Sequence, residues 1–286
     1  MNILIIGSTG MLGNTLNKYF PQEEYNVFTF NRSDVNLSNC SFYELSDKLN
    51  KFIDENSIDL IVNCAGVIKQ RSTSSSDMIH VNSVIPHWLQ EISENNKIKF
   101  IHITTDCVFD GVNGKYNESD SHNAMDEYGR SKSLGEPENS TVIRTSIIGE
   151  EEKNKLSLFE WVKSNSNKEI RGYTNHFWNG VTCLQLGKFI NDIIKNDGFW
   201  EGVYHLHSND VNKFDLVSII NEVYNFNIKI NEFVDDKNPA DRTMRTNKKM
   251  SFNLNIPHLY KQIEEMKDFH ESLRNKELGE YYDNMT

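Results

Sequence analysis

The N-terminal half predicts an α/β fold with a doubly wound parallel sheet, on three observations. Short apolar runs alternate with longer stretches whose apolar residues recur at helical spacing, the rhythm of parallel βαβ units. The first apolar run passes straight into a glycine-spaced turn that opens a helix. Beyond about residue 150 the rhythm changes, which predicts a second, smaller C-terminal part.

The elements follow in order. Met1–Ile6 is a buried-strand pattern, and Met11, Leu12, Thr15, Leu16 and Tyr19 then recur at helical spacing. Tyr25–Phe30 is the second strand. Phe42–Glu55 is a helix with Leu45, Leu49, Phe52 and Ile53 on one face. Ile58–Val62 is the third strand, Val81–Asn95 a helix, Phe100–Thr104 a strand and Thr141–Thr145 a short one. Glu150–Lys155 is charged and marks the candidate boundary, giving parts 1–150 and 151–286, with some later segments expected to return to the sheet. These include a helix near Leu184–Lys195, a strand at Gly202–Leu206, a helix at Asp215–Val223 and a charged loop at Asp235–Arg245. His258–Lys276 closes the chain as an amphipathic helix, and the serines of Ser72–Ser76 read as a mobile loop.

Bulk properties exclude several classes. The chain has 286 residues and a net charge of −11, an unfavourable balance for binding nucleic acid. No run is apolar for the ~20 residues a membrane helix needs. The N-terminus opens on a strand pattern rather than a signal peptide. Four scattered cysteines, Cys40, Cys64, Cys107 and Cys183, lack ligand spacing, so no metal is expected and the thiols read as reduced in a cytoplasm.

Gly7-Ser8-Thr9-Gly10-Met11-Leu12-Gly13 supplies the turn after the first strand. Glycines there permit a tight turn, close approach of backbone N–H groups to a pyrophosphate, and helix packing on the sheet. Dinucleotide binding is the expectation. An acidic residue ending the second strand would favour NAD. The chain has Asn31-Arg32-Ser33, so Arg32 is placed for a 2′-phosphate and NADPH is favoured, with NADH possible. Asp34 and Val35 follow and could face the adenine. Cys64, Ala65 and Gly66, after the third strand, leave room for a cofactor.

Tyr128 and Lys132 form a YxxxK pattern, whose spacing puts both side chains on one helix face. An ammonium beside a phenol favours the phenolate, and the phenol can protonate a carbonyl oxygen as hydride arrives at its carbon. Lys132 can also hold the nicotinamide ribose. Thr105 ends the strand before this pattern, where ligands bind in open α/β sheets, and can hydrogen-bond the same oxygen.

GSTGMLG, NCAG, TTDCVFDG, YGRSKSLGE and VIRTS occur in order. Together they resemble the dTDP-4-dehydrorhamnose reductase group of extended short-chain dehydrogenases, strongly over residues 1–150. The resemblance implies a Rossmann domain with a smaller C-terminal domain binding a nucleotide sugar, and reduction of a 4-keto-6-deoxyhexose in deoxysugar donor synthesis. It makes Thr105 the carbonyl-orienting hydroxyl, Tyr128 the proton donor and Lys132 its electrostatic partner. Cys107 stands where the group commonly has tyrosine, which leaves the pocket wider and less polar. Asp106, Cys107, Asn175, Trp178 and Arg242 are the remaining substrate-side candidates, and Arg144 is either a structural ion pair or a ligand contact. Two alternatives stand beside the reductase: an epimerase of the same fold, and a non-catalytic nucleotide-binding subunit such as the methionine adenosyltransferase regulatory subunit. The group also implies a homodimer.

Overall fold

The computed structural model describes residues 1–68, 74–153 and 155–283. The serine cluster falls partly outside them. Its described end, Ser74, accepts the Asp77 N–H and caps a short helix.

In the first half, β1 (Asn2–Ile6), α1 (Met11–Tyr19), β2 (Asn26–Phe30), α2 (Phe42–Asn56), β3 (Leu60–Asn63), α3 (Ser75–Ile79), α4 (Ile85–Asn96), β4 (Lys99–Thr105), α5 (Glu127–Leu134) and β5 (Thr141–Thr145) alternate. The second half carries β6 (Ile147–Ile148), α6 (Leu158–Ser164), β7 (Glu169–Tyr173), β8 (His176–Trp178), β9 (Val181–Thr182) and α7 (Cys183–Lys195). It continues through β10 (Gly202–His205), β11 (Val211–Asn212), α8 (Lys213–Tyr224), β12 (Lys229–Phe233), β13 (Ala240–Asp241) and α9 (Leu259–Asp283).

Six strands form one parallel sheet in the order β2-β1-β3-β4-β5-β10. Chain direction across the sheet reverses between β1 and β3. Loops leaving their carboxyl ends therefore diverge and open a crevice. Strand side chains alternate between two cores, as the period of two requires. Ile3 and Ile5 pack with Leu12, Leu16, Phe189 and Ile190 of α1 and α7. Leu4 and Ile6 pack with Leu45, Leu49, Ile85 and Leu89 of α2 and α4. Each such fully buried side chain contributes about 1.5–3 kcal/mol.

The second half thus supplies a strand and a covering helix to the large sheet. Its other elements enclose a separate core of Phe159, Leu216, Ile220, Ile263 and Met266, with β7 and β12 paired in parallel. One expected helix differs. The stretch from Ser75 to Asn96 is interrupted by a π-helical turn at His80–Val84, which becomes the seat of α5.

Candidate active site

At the carboxyl end of β1, Gly7 adopts φ +84, and a Cβ there would lie 2.7 Å from the Ala65 nitrogen. A Cβ on Gly13 would lie 2.3 Å from the Gly7 carbonyl oxygen, so this glycine sets α1 against the strand. Gly10 is the N-cap of α1 and makes no side-chain cap, leaving the first helical N–H groups free of that competition. Gly7, Thr9, Gly10, Asn31, Arg32 and Val35 wall a groove with Cys64, Ala65 and Gly66 on its far side. Ser8 donates to the Asn31 side-chain oxygen at 2.8 Å, and Arg32 is exposed at the mouth. Asn36, Leu37 and Ser38 also line it. They carry no motif that sequence reading could have used.

Asp34 corrects an expectation. It does not line the groove; its carboxylate accepts the Asn31 N–H at 2.6 Å and so stabilises the turn after β2. A carboxylate beside a turn takes the nearest backbone donor before any ligand.

The groove continues, through the shared wall of Gly10, Cys64, Ala65 and Gly66, into a cleft lined by Met11, Leu12, Thr105, Cys107, Tyr128 and Lys132. Thr105 ends β4. Its hydroxyl donates to Asp106 Oδ1 at 3.0 Å and accepts the Cys107 N–H at 3.2 Å. The Tyr128 side chain lines the cleft beside Thr105. Burial raises the Tyr128 phenol above its usual range, and the neighbouring Thr105 hydroxyl opposes that shift. Lys132 lines the same cleft. The lysine Nζ donates to the Ile103 carbonyl at 3.0 Å, and burial pushes its ammonium down to about 8. Tyr128 and Lys132 are thus two desolvated groups lining one cleft.

The helix that carries Tyr128 and Lys132, α5, is short and held from outside. Asp126 caps α5 by accepting the Gly129 N–H at 2.9 Å. On the π-helical turn, Asn82 donates to Ser131 Oγ at 3.1 Å and Ser83 donates to the Ser131 carbonyl at 2.7 Å. Beyond α5, Glu136 pairs with Arg144, which is 1% exposed. Arg144 also reaches His205 Nε2 at 2.7 Å and His122 Nε2 at 2.6 Å. Both imidazoles act as acceptors there, consistent with the lowered pKa values of His122 and His205 under burial. Arg144 is thus structural, one of the two readings open from sequence.

On the substrate side, Asp106 is 4% exposed and its carboxyl is raised by burial, with Arg242 opposing. Cys107 lines the cleft, its thiol pushed up to about 12 by burial and the Asp106 charge. Arg242 donates to the Phe109 and Asp110 carbonyls, both at 3.3 Å, and so crosses the loop that follows Thr105. Asn175 and Trp178 depart from expectation. The Asn175 amide exchanges two hydrogen bonds with the Asp235 backbone and holds a turn. Trp178 packs in the smaller core, where the Lys213 ammonium sits 5.1 Å from its ring centre. Lys213, a lone lysine after an asparagine, gave no sequence signal.

The model of the family described as "RmlD substrate binding domain" matches residues 1–268. The chain belongs to this family. It is 29% identical to a probable low-salt glycan biosynthesis reductase of Haloferax volcanii, over 48% of each chain, about half of that relative. It is 27% identical to a dTDP-4-dehydrorhamnose reductase of Aggregatibacter actinomycetemcomitans, over 71% of this chain and 72% of that one. Among solved structures, a dTDP-4-dehydrorhamnose reductase from Bacillus anthracis in complex with NADP superposes with a TM-score of 0.75. That comparison covers 93% of this chain and 98% of the other at 19% identity, and shows a shared fold.

Proposed function

We propose that this RmlD-family chain uses NADPH to reduce the 4-keto group of a nucleotide-linked 4-keto-6-deoxy sugar, dTDP- or UDP-linked. The observation that carries the reading is the gathering of Thr105, Tyr128 and Lys132 around a cleft continuous with a glycine-walled groove ending at Arg32. The groove fits a dinucleotide: side chains at Gly7 and Gly13 would collide with backbone, and α1 presents amides that no side chain caps. The α1 N-terminus would hold the pyrophosphate, Arg32 a 2′-phosphate, and Lys132 the nicotinamide ribose. NADH, lacking that phosphate, would be the weaker coenzyme.

When bound, the coenzyme supplies hydride to C4 of the sugar. Thr105 orients the carbonyl oxygen, and Tyr128 donates its phenolic proton to that oxygen as negative charge develops. A raised phenol pKa keeps Tyr128 protonated and ready to donate. The Lys132 ammonium on the same wall then favours the phenolate left behind. Residues 1–150 would chiefly bind coenzyme and 151–286 chiefly the nucleotide sugar. The product would serve as a deoxysugar donor for polysaccharide or glycan synthesis, made by a cytoplasmic homodimer; the names of the two relatives support this pathway class.

Tyr128→Phe removes the proton and little else. Turnover is expected to fall about 10²–10⁴-fold, with NADPH affinity by titration unchanged. An active wild type unaffected by this substitution would rule out the mechanism.

A further inference from the structure

Among the described residues, Lys213 of the smaller lobe has no carboxylate within ion-pair distance. Lys213 is the first residue of α8, but Asn212 caps the helix by accepting the Asp215 N–H. The partly buried Lys213 Nζ lies over the Trp178 ring at 5.1 Å. Among the described residues it has neither an ion-pair nor a hydrogen-bond partner. Asp106 and Cys107 act on it at longer range, and the like charge of Arg242 opposes them. Burial outweighs these influences and pushes the ammonium down to about 8. An ammonium held on an aromatic face without a carboxylate is short of negative charge, which a bound anion would supply.

Its position decides which anion. On one side Lys213 walls an apolar cavity with Trp161, Tyr173 and His176, the last two rings stacked at 4.4 Å. Arg171 lines the same cavity, but it is exposed and lies over Phe233. On the other side, next to Trp178, the Phe177 carbonyl accepts the Arg242 N–H at 3.3 Å, and the Arg242 guanidinium crosses the loop that follows Thr105 toward the cleft lined by Asp106, Cys107 and Tyr128. A base against the aromatic wall and a keto sugar at Tyr128 would carry their linking diphosphate past this ammonium. We propose that Lys213 is a substrate-binding residue that pairs with the diphosphate, with Arg242 as a second cation. The inference rests on the nucleotide-sugar reading above.

The test is calorimetric titration of the full-length protein with UDP and dTDP, and with uridine and thymidine, for wild type, Lys213→Met and Lys213→Arg. The methionine variant is expected to bind the preferred diphosphate about tenfold more weakly, the loss of one charge-assisted contact. Nucleoside binding should be unchanged, the arginine variant should recover most of the loss, and KM should rise with kcat held. Unchanged diphosphate affinity in Lys213→Met would overturn the inference alone. Equal losses for nucleoside and diphosphate would also overturn it, by showing a purely structural role on Trp178. A wild type that binds neither diphosphate would overturn the nucleotide-sugar reading itself.

Discussion

Lys132 carries a charge that the fold leaves poorly compensated. The residue is 5% exposed, and its ammonium donates to one carbonyl and is pushed down to about 8 by burial. The folded pKa lies below the unfolded one, so between about pH 8 and the usual lysine value the unfolded chain binds the extra proton. Stability therefore rises with pH across that window. Below it the buried charge costs, net of its partners, about 3 kcal/mol relative to the unfolded chain. Lys132→Met is accordingly expected to raise the Tm at pH 7 and to flatten the climb in stability above pH 8, while abolishing reduction. Lys213 titrates in the same direction, so the flattening should be partial. A lower Tm for Lys132→Met would contradict this account. The pair itself was legible, because YxxxK after a strand ending in threonine is a spacing signal. Asp34 and Asn175 misled because their roles depend on which backbone donor or acceptor lies nearest, which residue type alone does not encode.

At the scale of elements, the helix carrying Tyr128 and Lys132 is placed by its neighbours more than by its own sequence. α5 has eight residues, too few to be stable alone. It is docked where the π-helical turn presents Asn82 and Ser83 to Ser131. Gly135 closes that contact, since a Cβ there would lie 1.8 Å from the Asn82 carbonyl oxygen. Gly135→Ala should force α5 off its seat, costing about 1–3 kcal/mol in chemical denaturation and lowering kcat by displacing Tyr128 and Lys132. Stability lost with kcat intact would show that the seat does not position the pair. Sequence periodicity placed α1, α2, α7 and α8 to within a few residues, because each has a continuous apolar face, and it found the start of α9, which runs past the expected end at Lys276 to Asp283. It did not reveal the π-helical turn, which leaves apolar spacing nearly unchanged. It also missed α6, although Ser157 and Glu160 carry a Ser-x-x-Glu start signal and the serine does cap the helix. Two-residue strands such as β6, β9, β11 and β13 are too short to show any alternation.

Over the whole molecule, the glycine-walled groove arises where the strand order reverses and runs into the cleft at the end of β4. β10 and α7 come from beyond residue 180 yet complete the large sheet and one of its cores. Arg144 extends this continuity by joining β5 to β10 through His205 and to the segment after α5 through Glu136. The long-range pairing was foreseeable in kind from βαβ rhythm, but the parallel β7–β12 pair was not, since its strands bury few residues. The central claim is that this assembly transfers hydride to a nucleotide-linked keto sugar. The most direct measurement follows NADPH, and separately NADH, at the nicotinamide absorbance while dTDP- and UDP-linked 4-keto-6-deoxy sugars are added to the wild-type protein. The account predicts rapid oxidation of NADPH with at least one of these sugars, and slower oxidation of NADH. Tight NADPH binding with no oxidation by any of them would contradict it and leave a nucleotide-binding protein without this activity.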